Sequence, residues 1–433
     1  MSNPAAAVEE RHATWLELFF DLVIVAAVAQ LAHLLHEDVS LKQIAVFAIL
    51  YYAMWSVWTS FSLYANVRGD RVNQVPLLVA MFGIAVMAAA IPHAVHGHGN
   101  DYQVFVLAYV LCRVLAALTW KRSNLVPTDW PAARQGNGVI PWIVSLWLAD
   151  SRYWWWFAGI ALDIVTSFVL SLDPDKQIAA EQKEQQKQRD LWIRRLARIL
   201  IRRLAPDPRI ELQHLPDLPD IKAAQPNVSH LGERLGLFVI IVLGEAVAQL
   251  VGAAAGVPEW GSALWLSVIA GFGLLVAIWY LTLQYGSSSL PNYGARTFAL
   301  RLTLPAHYVM TGAIVAISAG LGLIAAHPEG HLPTSDRWIL CAGTAIYFLT
   351  ATITGARGGV PVRWVLGWGF PAVAFTLLLG TFGGPLPGWA VAAILVVIAL
   401  WHISYRVVDP EQREHRITQA RKGRNSVDAE SLS

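Results

Sequence analysis

Runs of about 20 apolar residues, the length that carries a helix across the hydrocarbon of a bilayer, recur throughout this chain. Eleven segments reach or approach that length: 16–36, 41–63, 76–96, 102–120, 153–172, 232–254, 262–285, 302–326, 338–354, 363–382 and 387–405. Hydrophobic residues make up 55% of the 433 and charged ones only 14%, with 19 Trp and a mean hydropathy of +0.46. A chain this apolar and this poor in charge takes the bilayer as its solvent. The expected fold is all-α, a polytopic integral membrane protein. The charged residues are sorted into short segments between the runs, and nothing in their pattern suggests nucleic-acid binding.

A twelfth run, "GVIPWIVSLWLA" at 138–149, is long enough only for a short or tilted helix. The basic residues decide whether it crosses, because cytoplasmic loops retain Lys and Arg. With twelve crossings both termini are cytoplasmic, and 27 of the 32 basic residues fall inside, leaving Lys42, Arg152 and Arg337 outside, Arg113 within a helix and Arg234 at a helix entrance. Without it everything before residue 153 inverts, and seven basic residues from Arg11 to Arg152 land outside. Twelve helices are therefore expected.

Residues 16–31, "LELFFDLVIVAAVAQL", align without a gap on 235–250, "LGLFVIIVLGEAVAQL", with nine identities that include Gln30 and Gln249. Trp58 and Tyr64 in the next helix match Trp279 and Tyr285. This self-similarity implies two six-helix repeats, and because six is even both run in the same sense. The expected organisation is a first membrane repeat at 1–172, a charged cytoplasmic linker at 173–229, a second repeat at 230–405 and a cytoplasmic tail at 406–433. Within the linker, "LWIRRLARILIRRL" sets Trp192, Leu196, Ile199 and Leu200 on one face and Arg194, Arg195, Arg198 and Arg202 on another. That pattern suits a helix lying in the anionic inner leaflet, or alternatively one packed on the cytoplasmic loops. Prolines between Pro206 and Pro226 make the remainder an extended tether.

A charge at bilayer depth costs about 2.5–3.5 kcal/mol on insertion scales and persists only when paired, protonated or wetted. Glu17 and Asp21 lie one turn apart on one face of the first helix. They either line a cytoplasm-facing vestibule or pair with Arg234 or Arg113 to lock helices together. In the matching helix Glu233 and Arg234 stand at the start and Glu245 three turns further in, with Gln249 one turn beyond it. Arg113, Asp163 and His307 are the other candidate polar residues of the core, as counter-ions or as ordinary interhelical hydrogen-bond partners. Cys112 and Cys341 sit in apolar runs and are expected as packing residues. His93, His96 and His98 with Asp101 form "HAVHGHGND", which fits a plain loop better than a metal site, and no metal or cofactor is expected. The chain shows no phosphate-cradling glycine motif, H-E-x-x-H or nucleophile elbow.

"TWLELFFDLVIVAAVAQL" resembles a signature of the bacterial low temperature requirement A family, and "ERLGLFVIIVLGEAV" resembles its second. "YANVRGDR", Arg113, "ALDIV" and His307 fall where that family carries comparable residues. The resemblance implies a protein of the bacterial cytoplasmic membrane linked to growth in the cold, without implying a chemistry. The leading functional expectation is a channel or carrier for an ion or small solute, with the carboxylates of the two signature helices lining the path. A non-catalytic protein that senses the bilayer or binds a partner is the alternative, and a membrane-embedded enzyme acting on lipid the lesser one. Beyond the bilayer and a transported solute no partner is implied, and oligomeric state is open.

Overall fold

The computed structural model describes residues 12–37, 40–96, 101–171, 173–203, 220–285 and 299–408. It is almost wholly helical. Helices α1 (Trp15–Glu37), α2 (Leu41–Arg68), α3 (Gln74–His96), α4 (Gln103–Ser123), α5 (Val139–Ser145) and α6 (Arg152–Leu170) form a first set. After α7 (Pro174–Arg203), a second set comprises α8 (Val228–Ala255), α9 (Ser262–Trp279), α10 (Leu300–Ala326), α11 (Thr334–Gly358), α12 (Val362–Phe382) and α13 (Gly388–Val408). Eleven of these helices are long and apolar enough to cross a membrane. In each set the first helix packs on the second and third, the third on the fourth, and the second and fifth on the sixth. The sets meet where α1 and α2 touch α8 and α10.

Local sequence fixes the helix ends. Thr14-Trp-Leu-Glu17 is a capping box: the Glu17 amide donates to the Thr14 hydroxyl at 3.3 Å, and the Thr14 amide donates to Glu17 Oε2 at 2.8 Å. Ser40 caps α2 by accepting from the Gln43 amide, and Asn227 caps α8 by accepting from the His230 amide. Asn124 ends α4 in the left-handed region at φ 55°, which Asn tolerates better than most residues.

The expected twelfth helix is corrected. Only Val139–Ser145 is helical, seven residues or about 10 Å, too short to cross by itself. The chain nonetheless travels the full length of α4. Helices α4 and α6 run parallel, since Tyr102 meets Trp156 near their starts (ring centroids 6.3 Å apart) and Arg113 meets Asp163 midway (3.1 Å). The connection between them must therefore return. It leaves Asn124, passes Arg113 with the carbonyls of Ala132 and Gln135, sets Trp142 against Tyr109, and reaches Tyr102 with the carbonyl of Ser145. Pro127 and Pro131 deny its first half two amide donors, so that half stays irregular. Irregular backbone at this depth is tolerated because Trp130, Pro131, Ala132 and Ala133 are buried in protein.

Basic residues gather at one end of the bundle. Arg68, Arg71, Lys121, Arg122, Arg301, Arg357 and Arg363 lie at helix termini there, whereas the opposite end carries Lys42, Arg152 and Arg337. Helix α7 starts at the basic end, where Asp173 caps it by accepting from the Lys176 amide at 3.1 Å. The hydrogen bond from the Lys176 side chain holds the Asp173 carboxyl below its ordinary range. Leu125–Val126 pairs in parallel with Lys222–Ala223, tying the irregular connection to the segment that leads into α8. The proline tether expected in the linker falls mostly on residues 204–219, outside the described residues.

Candidate functional site

The polar side chains of the first and eighth helices converge. Asp21 Oδ1 accepts from Arg234 at 2.5 Å and from the Trp58 indole N–H at 2.7 Å. Glu17 Oε1 lies 3.2 Å from the same guanidinium, while Glu17 Oε2 accepts from the Thr14 hydroxyl at 2.9 Å and faces His230 Nε2 at 3.5 Å. Arg234 also donates to the Ser62 hydroxyl at 3.3 Å. Glu17 is 2% exposed, and Asp21, His230 and Arg234 are 0% exposed. The first set supplies both carboxylates, the indole and the serine; the second supplies the imidazole and the guanidinium.

Hydrogen bonding assigns the imidazole tautomer. The Asn66 amide nitrogen donates to His230 Nδ1 at 2.9 Å, which leaves the proton on Nε2, pointing at Glu17. Asn66 is held in turn by Asn227, whose amide donates to Asn66 Oδ1 at 2.8 Å. The cluster thus sets two carboxylates against one guanidinium, with the imidazole N–H facing Glu17. Glu17 and Asp21 were expected to face either a wet vestibule or a basic partner. In this structure they have the partner within a closed interface: Asp21 Oδ1 and Glu17 Oε2 accept hydrogen bonds and Glu17 Oε1 faces the guanidinium, while Asp21 Oδ2 is buried without a hydrogen bond among the described residues.

A second buried ion pair holds the broken crossing. One guanidinium nitrogen of Arg113 donates to the carbonyls of Ala132 (2.7 Å) and Gln135 (2.8 Å) and to Asp163 Oδ2 (3.1 Å); the other donates to the Ser60 hydroxyl (2.9 Å). Arg113 is ten residues from either end of α4, at mid-depth. It thus satisfies carbonyls that a regular helix would have satisfied itself. Any side chain at Gly138 would collide with the Asp163 carboxylate and the Gly159 carbonyl.

The remaining candidates stand apart. His307 accepts at Nδ1 from the Trp55 indole and donates from Nε2 to the Leu235 carbonyl, both at 3.2 Å, which spends both ring nitrogens on joining α2, α10 and α8. Glu245 is 8% exposed and accepts from the Gln249 amide at 2.7 Å; it stands about 16 Å along α8 from Arg234 and is no part of that cluster. Glu233 is on the surface, 3.8 Å from His12. Among the described residues no three His, Cys, Asp or Glu converge as metal ligands; His98 lies outside them. Trp58, His230, Ser62 and Asn66 belong to the cluster although the sequence marked none of them as a candidate site residue; Trp58 entered only as a match between the repeats and Asn66 only within the family-like "YANVRGDR". Only Thr14 carried a legible signal, as the partner of Glu17 in T-x-x-E.

Trp58 gives a direct measure of the Asp21 environment. Changing it to Phe keeps the ring against Phe238 (centroids 4.4 Å apart) but removes a donor to a buried carboxylate. The expected loss is about 2 kcal/mol of unfolding free energy in detergent, the range for hydrogen bonds to charged groups.

Among curated proteins the chain is similar to an uncharacterized protein of Rhizobium meliloti (strain 1021), 25% identical over 405 residues that cover 91% of this chain and 89% of that one. No solved structure matches it. The family model described as bacterial low temperature requirement A protein matches residues 12–400, nearly the whole membrane portion, signature helices included. The chain belongs to that family.

Proposed function

We propose that this protein is a carrier of the bacterial cytoplasmic membrane, built as two six-helix repeats running in the same sense, and that the Glu17–Asp21–His230–Arg234 cluster is the latch closing its basic, cytoplasmic end. One observation carries the reading: charges from both sets are buried against each other at the interface the sets share. A buried ion pair contributes little net stability compared with apolar packing of the same volume. Charges retained at such an interface suit a contact that is made and broken. The matching helix neighbours in the two sets support the duplication, and the basic residues at one end support its cytoplasmic placement.

A cavity of about 500 Å³ opens at the opposite end of the same interface, lined by Leu41, Ile44 and Tyr51 of the first set and by Tyr308, Gly312 and Trp338 of the second. A carrier latched at one end is accessible at the other, so this cavity is the proposed solute site. Its walls are almost entirely apolar, so the solute has an apolar body. The carboxylates then gate the path instead of lining it, and Glu245 contributes to neither end.

The test is distance measurement between spin labels in nanodiscs, with Cys112 and Cys341 first replaced by Ala. Labels at Leu41 and Ser335 straddle the cavity mouth, and labels at Val75 and Val362 straddle the basic end. With Asp21→Asn and Arg234→Gln combined, the carrier reading expects the second distance to lengthen and the first to shorten. Two unchanged distributions in a folded protein would overturn it.

A further inference from the structure

We propose that the second half of α7, residues 191–203, is a binding surface for anionic phospholipid that docks the linker on the leaflet at the basic end of the bundle. The first half of α7 is fastened to that end. Gln177 donates to the carbonyls of Thr128 (3.2 Å) and Leu170 (2.6 Å), Glu181 pairs with Arg134, and Gln185 reaches the Asn124 side chain at 3.5 Å. These anchors are spaced four residues apart, so one face of the helix rests on the bundle.

Past Gln185 the character of α7 changes. The hydrogen bonds given by Gln186 and Gln188 stay inside the helix, to Asp190 and Glu184. Leu191 and Trp192 are then 43% and 52% exposed. From Leu191 to Arg203 the chain has five arginines and no acidic residue, whereas Pro174–Asp190 mixes both signs. At helical period Trp192, Leu196, Ile199 and Leu200 share a stripe, and Arg194, Arg198 and Arg202 fall on another. Two partners are thereby written into one short helix: an apolar phase for the first stripe and negative charge for the second. The headgroup region of an anionic leaflet offers both side by side, and Trp favours that depth. Among the described residues no loop covers Leu191 and Trp192, which favours the leaflet over the alternative of a helix packed on the cytoplasmic loops.

The experiment uses the full-length chain with Cys112 and Cys341 replaced by Ala, Leu196→Cys on the apolar stripe and an environment-sensitive fluorophore at that cysteine. Nanodiscs of pure phosphatidylcholine are compared with nanodiscs containing phosphatidylglycerol. Docking expects a blue-shifted emission and about tenfold less quenching by aqueous iodide in the anionic discs only, reversed by 1 M salt. Changing Arg194, Arg195, Arg198 and Arg202 to Gln abolishes the difference, and changing all four to Lys retains it. A probe equally wet in both discs overturns the proposal. So does one equally dry in both, which identifies packing on the protein. Neither result bears on the latch, which is read from labels elsewhere.

Discussion

Arg234→Gln is expected to destabilise the folded protein by about 3–5 kcal/mol, the cost of stranding a buried charge by removing its partner. The substitution leaves Asp21 with the Trp58 indole alone and Glu17 with Thr14 and His230, at sites no more than 2% exposed. Equilibrium unfolding in mild detergent measures it. Adding Asp21→Asn is expected to recover more than half of the loss, because the stranded charge then goes too. If the single change cost less than about 1 kcal/mol, the guanidinium would not be the counter-charge the geometry implies, and both the latch and the carrier reading would fail with it.

Arg113→Ala is expected to be more damaging. It bares the carbonyls of Ala132 and Gln135 and isolates Asp163, all at mid-depth. Each such group costs several kcal/mol where no water reaches it, so the variant is expected not to accumulate in membranes. Arg113→Lys should rescue little, since an ammonium cannot span the four acceptors that the planar fork reaches. Asp163→Asn should be milder, because the carbonyls keep their donor. Equal yields for Arg113→Ala and the unmodified protein would show that the irregular connection holds itself.

Much of this architecture was legible because lipid imposes one rule on backbone. Long apolar runs give helices, and eleven of the runs found in the sequence did so. Residues 138–149 escaped that rule: they hold only a seven-residue helix, and the irregular stretch before it has its Ala132 and Gln135 carbonyls satisfied by Arg113, twenty or so residues earlier in the chain. Hydropathy cannot register a hydrogen bond supplied by another helix. The pairing of Glu17 and Asp21 with Arg234 was one of two readings the spacing allowed, and only packing could choose. The roles of Trp58, Ser62 and His230 were invisible because a buried Trp, Ser or His is ordinary until its neighbours are known. His307 shows the converse, a polar residue the sequence flags whose two nitrogens are fully occupied in joining helices.

The distance along the chain between Asp21 and Arg234 has a consequence for synthesis. Their separation is 213 residues, so at about 5–20 residues per second the first helix waits roughly 10–40 s for its cation. Throughout that interval two carboxylates sit in a nascent membrane protein with only local help: Thr14, already made, and Trp58, which emerges 37 residues later. The amino-terminal half is therefore born charge-unbalanced, and its insertion is completed by a residue from the other half.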